Sequence, residues 1–174
     1  MTTSDILPPW PQVPACYGWL SLDRRGGWRL RGEPVEHGGL LAFLNHNYRS
    51  DGGDWFVQNG PQRVFVSLAY TPLVLRLQTD GRITTHTGAD AGAARTVHVD
   101  DEGNVLVLTE AGIGLVDDRD LPDFIGECRL ADGEPAEVEA VLAGEGVSWR
   151  GLPLRAIARA EVAGHYRFRP DPQA

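Results

Sequence analysis

Leu20 and Leu22, then Trp28 and Leu30, alternate with polar residues on either side of Asp23-Arg24-Arg25-Gly26-Gly27. Seventy-seven residues later Val97 and Val99, then Val105 and Val107, take the matching places around Asp100-Asp101-Glu102-Gly103. Period-two alternation broken by a short, Gly-bearing polar loop is the pattern of a β-hairpin, because successive strand side chains point to opposite faces. The overlay sets Asp23 on Asp100 and Gly26 on Gly103, so the chain reads as two related building units.

A second echo joins Arg31-Gly32-Glu33-Pro34-Val35 to Arg150-Gly151-Leu152-Pro153-Leu154, each directly after an alternating strand. Its offset is 119 residues, so the two signals do not describe one simple duplication. We read the echo as a pair of exits from strand to helix, with Gly for the turn and Pro for the departure.

Further elements follow along the chain. Leu40, Leu41, Leu44 and Tyr48 recur at helical spacing and predict a short helix from about Gly39 to Tyr48. Strands are expected at Trp55-Phe56-Val57, at Val64 to Leu68, and on both sides of Asp80-Gly81. Asp120 is a suitable N-cap for a helix through Leu121, Phe124 and Ile125. We expect strands over Ala136 to Leu142, Gly146 to Arg150 and His165 to Phe168. Leu154, Ile157, Ala158 and Val162 predict a helix entered at Pro153. Four prolines between Asp5 and Ala15 exclude a helix or central strand there and predict an extended arm pinned by Trp10.

The resulting fold class is mainly β, a β-rich α+β protein of two similar antiparallel β units, each with a short helix, packed together. The arm spans residues 1–15, the first unit 16–88, and the second unit, with a short helix and a C-terminal helix, 89–174. A chain of 174 residues is long enough for such a core. Charge divides near the same boundary. Residues 1–87 hold eight Arg against seven acids, net +1, and residues 88–174 hold eight Arg against seventeen acids, net −9.

The net charge of −8 opposes phosphate backbones, which speaks against a nucleic-acid partner. No apolar run has the length of a membrane span, so a cytoplasmic location is expected. Cys16 and Cys128 read as reduced, buried thiols.

No cofactor is expected, because the phosphate-cradling glycine motifs are missing. His37, His46, His86, His98 and His165 form no zinc motif. The clusters Asp100-Asp101-Glu102 and Asp117-Asp118-Arg119-Asp120 with Asp123 lack EF-hand spacing and read as solvated turn charges. The best candidate ligand-binding residues are His46, Tyr48, Trp55, Gln58, Asn59 and Arg63, polar and aromatic groups at a helix end and neighbouring loop. Arg63 could hold a carboxylate or phosphate bidentately, so a small anionic ligand or a protein partner is expected.

The order Gly26-x-Trp28, Gly32-x-Pro34-Val35, Leu40-Leu41-x-Phe43-Leu44, Phe56-Val57, Pro61-x-Arg63-Val64 and Pro72-Leu73 resembles an uncharacterised proteobacterial domain family built from two similar, mostly β repeats. The likeness resumes at Val147-x-Trp149-Arg150-Gly151, Ile157 and Tyr166. It covers roughly Cys16 to Tyr166 and departs from the family at His37, where Arg is expected, which leaves a sister family open. The resemblance implies a two-lobe β architecture and a role in ligand sensing or signal transduction, and it brings no catalytic residues. The reading is therefore a non-enzymatic cytoplasmic ligand-binding or regulatory module. Its alternatives are a metal-dependent or other hydrolase whose site assembles only in three dimensions, and an acidic protein-interaction scaffold.

Overall fold

Five hairpin loops share one geometry in the computed structural model, which describes residues 8–174. They are Asp23–Gly27, Gln78–Arg82, Thr85–Ala89, Asp100–Asn104 and Leu130–Glu134. In each, the first residue's N–H donates to the fifth residue's carbonyl, and the fourth residue's N–H donates back to the first residue's carbonyl. That fourth residue is Gly26, Gly81, Gly88, Gly103 or Gly133, at φ between +79° and +91°. This is a type I turn closed by a glycine bulge, a conformation that side-chain-bearing residues resist. The overlay of Asp23 on Asp100 thus corresponds to a real geometric identity. Each Asp side chain also accepts from backbone N–H groups of its own loop, Arg25 and Gly27 for Asp23, Glu102 and Asn104 for Asp100.

These loops connect the strands of two mixed sheets. The first is built from β1 (Ala15–Leu22), β2 (Trp28–Leu30), β3 (Glu33–Pro34), β4 (Tyr48–Asp51), β5 (Asp54–Asn59) and β6 (Gln62–Leu68), with α1 (Gly38–His46) between β3 and β4. Its order is β3-β2-β1-β6-β5-β4. The second holds β7 (Leu73–Leu77), β8 (Ile83–Thr85), β9 (Ala94–Asp100), β10 (Val105–Thr109), β11 (Gly112–Val116), β12 (Cys128–Leu130), β13 (Val147–Trp149) and β14 (Leu152–Ile157). Its order is β12-β13-β14-β9-β10-β11-β7-β8. Helices α2 (Leu121–Glu127), α3 (Val138–Ala143) and α4 (Arg159–Tyr166) complete a mainly β α+β fold. Most pairs are antiparallel, whereas β1–β6, β7–β11 and β9–β14 are parallel joints. The sheets divide the chain after Leu68, so β7 and β8 hydrogen-bond into the second sheet although they precede the charge break.

The second sheet is the middle layer. On one face Val97, Val99, Val105 and Val107 pack with Phe124 of α2, Val141 of α3 and Trp149. On the other, Leu106, Ile113 and Leu115 meet Leu20, Leu22, Val64 and Val66 of the first sheet, Leu44 of α1 and Val162 of α4. Trp10 anchors the arm: its indole N–H donates to Gln62 Oε1 at 2.9 Å, and Gln62 Nε2 donates to the carbonyls of Pro11 and Val13. The arm expectation for the residues before Pro8 lies outside the described chain.

Four local expectations are corrected. Residues 138–143 are helical rather than extended, since a short apolar run fits either period, and Gly144 in the left-handed region ends the helix. Residues 152–157 form a strand because Leu154 to Ile157 pair along β9 in the sheet centre, and the helix begins only at Arg159. His165 and Tyr166 belong to its last turn, closed by Arg167 at φ +58°. The Arg-Gly echo marks two tight hairpin turns, β2–β3 and β13–β14, not strand-to-helix exits. Arg31 and Arg150 sit at φ +49° and +50°, each followed by a glycine that also has positive φ. Two such residues make the type I′ turn that matches strand twist. In both turns the arginine lies over a tryptophan, Arg31 on Trp19 at 4.6 Å and Arg150 on Trp149 at 4.3 Å. This contact offsets part of the backbone strain.

The C-terminal segment straps the layers together. Arg169 N–H donates to the Gly53 carbonyl, and Leu68 N–H donates to the Pro170 carbonyl. Gly53 lies at φ +90°, and a Cβ there would stand 2.6 Å from the Arg167 carbonyl oxygen. Gly53→Ala is expected to cost about 2–3 kcal/mol, combining backbone strain with that clash. Gly52→Ala, at φ +58° in open space, is expected to cost about 1 kcal/mol. Urea denaturation of the two variants against wild type checks the difference.

Candidate binding site at the junction of the sheets

The two equivalent loops, 23–27 and 100–104, face each other where the layers meet. Arg24 donates to Asn104 Oδ1, joining first loop to second. Asn104 Nδ2 donates to Asp100 Oδ2 at 2.8 Å, and the Tyr70 hydroxyl donates to the same oxygen at 2.7 Å. Tyr70 lies on the Ala69–Pro72 connector between β6 and β7, so its ring is a peg between the sheets. Arg159, at the start of α4, stacks on it at 4.6 Å, and Arg24 stands 5.9 Å from the ring centroid. Burial, and then the Asp100 hydrogen bond, hold the Tyr70 phenol far above its ordinary range. The carboxyl of Asp100 is held low by its hydrogen-bond donors despite its burial.

Two clefts open beside this peg. The larger, about 460 Å³, is lined by Tyr70, Arg159, Asp101, Glu102 and Phe168. Arg159 there is neutralised by Glu102 at 2.5 Å, and its backbone N–H donates to Asp101. One guanidinium thus faces two carboxylates. The smaller cleft, about 270 Å³, has Arg24, Arg25, Asn104 and Asp118 on its rim over Val105, Leu115, Val116 and Leu121. Two guanidiniums face one carboxylate. The Arg25–Asp118 pair is bidentate at 3.0 and 3.1 Å, yet both side chains are 60% exposed. Such an exposed, solvent-screened pair contributes little to stability and leaves its arginine open to another anion.

The six sequence candidates fall into four environments. Tyr48 and Trp55 meet at a tilt of 41° with ring centroids 4.9 Å apart and join Trp28 and His86 in an aromatic cluster, with the Tyr48 hydroxyl donating to the Pro72 carbonyl. Burial pushes the Tyr48 phenol well above its ordinary range. Gln58 and Asn59 serve the β5–β6 turn: Gln58 Nε2 donates to the Gly60 and Gln62 carbonyls, and Asn59 Nδ2 to Gln62 Oε1. Arg63 pairs with Asp51 at 2.9 Å and lies over Phe56, while His46 is exposed at the end of α1. Tyr48 and Trp55 are the pair brought into contact.

The acidic clusters also need correction, because three of their seven acids, Asp100, Asp117 and Asp120, are internal. Asp117 is fully buried and accepts from the Arg119 backbone and guanidinium, which hold its carboxyl at about 2 against the opposing effect of burial. Asp120 accepts from Arg76 and from the Leu77 N–H. An Asp two residues before an Arg can fold back on it, and that spacing was the available signal. The junction itself was not legible, since Arg24, Tyr70, Asn104 and Arg159 are isolated in sequence.

The geometry defines a two-layer β protein with a polar junction, and the comparisons place it in a family. A family model, DUF2944, described as "Protein of unknown function (DUF2946)", matches residues 2–173. The chain belongs to this family. Among solved structures it is similar to a DUF1285 family protein from Silicibacter pomeroyi DSS-3, at 16% identity and TM-score 0.53, over 68% of this chain and 73% of that one. A DUF1285 family protein from Shewanella baltica OS155 is similar at 15% identity and TM-score 0.48, over 62% and 90%. At these identities the first likeness concerns the fold alone. No curated protein matches the chain. No helix among the described residues is long and apolar enough to cross a membrane.

His86 supplies a test of the junction's packing. Its Nδ1 accepts from the Val74 N–H at 3.2 Å, while Nε2 is sealed from solvent without a partner. Desolvation lowers its pKa to about 4, against 6.5 for the free imidazole. Between those values the unfolded chain binds the proton and the folded chain does not, so stability falls as pH drops from 6.5 towards 4. The loss is expected to be about 3 kcal/mol across the window. His86→Gln should flatten that part of the profile, measured as urea unfolding free energy against pH.

Proposed function

We propose that the protein is a non-catalytic binding module that takes a small anionic ligand in the cleft between Arg24 and Arg25 at the sheet junction. The observation that carries this reading is the local charge balance: two guanidiniums and one weakly held carboxylate over an apolar floor. Forked guanidiniums match carboxylate and phosphate oxygens geometrically. The cleft volume of about 270 Å³ suits a ligand of few atoms. Binding is favoured over catalysis because a guanidinium does not give up its proton, and the neighbouring Tyr70 phenol titrates far above neutrality. A cytoplasmic, regulatory role fits the two buried free thiols and the position of the cleft. A bound anion would touch the loops of both layers, so occupancy would be felt across the junction.

The test is a thermal-shift series at constant ionic strength with inorganic phosphate, pyrophosphate and malonate. At least one anion is expected to raise the melting temperature of the wild type in a saturable manner. The Arg24→Gln/Arg25→Gln double variant should fold and lose that response. No shift with any of the three, or an equal shift in the double variant, overturns the reading.

A further inference from the structure

Helix α3 is covered on one side only. Val141 is buried and Ala140 packs on the second core, yet Val138 and Leu142 are 45% and 48% exposed. They are two of the three large apolar side chains exposed among the described residues, and the third, Val13, lies in the N-terminal arm. Four positions apart on a helix, they are neighbours on one face and form a single apolar patch. Leu142 also borders the 100–104 loop, since a Cβ on Gly103 would stand 3.3 Å from its Cδ2. The helix of the first unit shows the contrast. A Gly-Glu-Pro-x-Glu run precedes both α1 and α3, at residues 32–36 and 133–137, and this offset sets Leu41 of α1 on Leu142. Leu41 is half-buried and packs on the first core, whereas Leu142 stands open.

Charge around the patch has one sign. From Leu130 to Trp149 the chain holds five acids, Asp132, Glu134, Glu137, Glu139 and Glu145, and no Arg or His. All five are exposed, and among the described residues none takes part in an ion pair. Glu137 is the N-cap of α3, Glu139 lies in its first turn, and Glu145 follows its Gly144 C-cap. From this arrangement we infer that the open face of α3 is a docking surface for a basic amphipathic helix of a partner protein. Its apolar side chains cover Val138 and Leu142, and its Arg and Lys meet the surrounding carboxylates. An apolar centre with a polar rim is the anatomy of a specific interface, and the i, i+4 pair matches the repeat of an amphipathic helix. Charge complementarity selects the occupant. A second copy of this chain would bring five further carboxylates against the first five, and an anionic membrane is repelled for the same reason. None of these residues lines the Arg24–Arg25 cleft, so the inference stands whether or not that cleft binds an anion.

The experiment titrates full-length protein into fluorescein-labelled, alanine-based helical peptides and reads anisotropy. One peptide carries leucines four positions apart flanked by arginines, a second replaces its leucines by serine, and a third replaces its arginines by glutamate. Saturable one-to-one binding is expected for the first alone, weakening steeply with salt. Val138→Ser/Leu142→Ser changes only exposed positions, and should keep the wild-type melting temperature while weakening binding about tenfold or more. Glu134→Gln/Glu139→Gln/Glu145→Gln should weaken it and flatten the salt dependence. Arg24→Gln/Arg25→Gln should bind the peptide like wild type, which separates this surface from the anion cleft. Absence of saturable binding, equal binding of the serine peptide, or wild-type affinity in Val138→Ser/Leu142→Ser overturns the assignment. Self-association in sedimentation velocity that Val138→Ser/Leu142→Ser abolishes would give the patch to a second copy and overturn it as well.

Discussion

The second sheet is buried on both faces, and its central strand governs much of what surrounds it. Along β9, Val97, His98, Val99 and Asp100 are all buried, whichever face they point to. A strand in this position has no solvent in which to hide a polar side chain, so each must find a partner in another layer. Asp100 takes the Tyr70 hydroxyl from the connector between the sheets, and His98 takes the Tyr166 hydroxyl from α4. The two polar residues of one strand, two positions apart and so on the same face, therefore tie it on the first-core side to both the connector and the C-terminal helix. Burying an unpartnered carboxylate would cost several kcal/mol, so Tyr70 and the Asn104 loop are structural necessities before they are anything else.

The parallel joints follow from the same layering. Pairing β14 beside β9 in parallel requires a long crossover, and residues 101–151 supply it with β10, β11, α2, β12, α3 and β13. That crossover places α2 and α3 on the outer face through Phe124 and Val141. After β14 the chain turns into α4 on the opposite face, where Val162 and Phe168 join the first core. The C-terminal segment then reaches the first sheet at Gly53 and Leu68. Chain halves that differ by ten charges are thereby joined mainly by apolar packing and backbone hydrogen bonds, with ion pairs such as Arg25–Asp118 at the exposed margin.

Local geometry was legible in the sequence wherever one residue type is demanded by backbone conformation. Gly26, Gly81 and Gly103 announced their loops because the fourth position needs positive φ, and the spacing from Asp23 or Asp100 carried the rest. The Gly-Glu-Pro-x-Glu stretch at Gly32–Glu36 has a counterpart at Gly133–Glu137, and each precedes a helix, α1 and α3. This correspondence was a better guide to α3 than apolar periodicity, which fits Val138, Val141 and Leu142 to either period. For β14 no local signal sufficed. Leu154 and Ile157 suit a helix face, and only the unpaired edge of β9 makes them a strand. The same limit applied to the sites. Tyr48, read from the sequence as the end of a helix, instead opens β4 and meets Trp55 of β5 there, and Arg24 and Asn104 are joined by tertiary layering alone.

The two polar ties on β9 also separate the groups open to the proposed anion site from those that only hold the fold. Asp100 has every oxygen lone pair directed at donors of its own protein, Tyr70, Glu102 and Asn104, so it is spent as a ligand for anything else. Asn104 passes that anchoring outward from its half-buried position to Arg24, which is held by the Asn104 oxygen and exposed. An incoming anion at Arg24 meets a side chain whose position is set by a buried network, which lowers the conformational entropy lost on binding. Arg25 beside it is paired only at the surface and is free to reorient. One anchored guanidinium and one adjustable guanidinium, supplied by consecutive residues of a single hairpin loop, is an arrangement that the buried strand imposes from below.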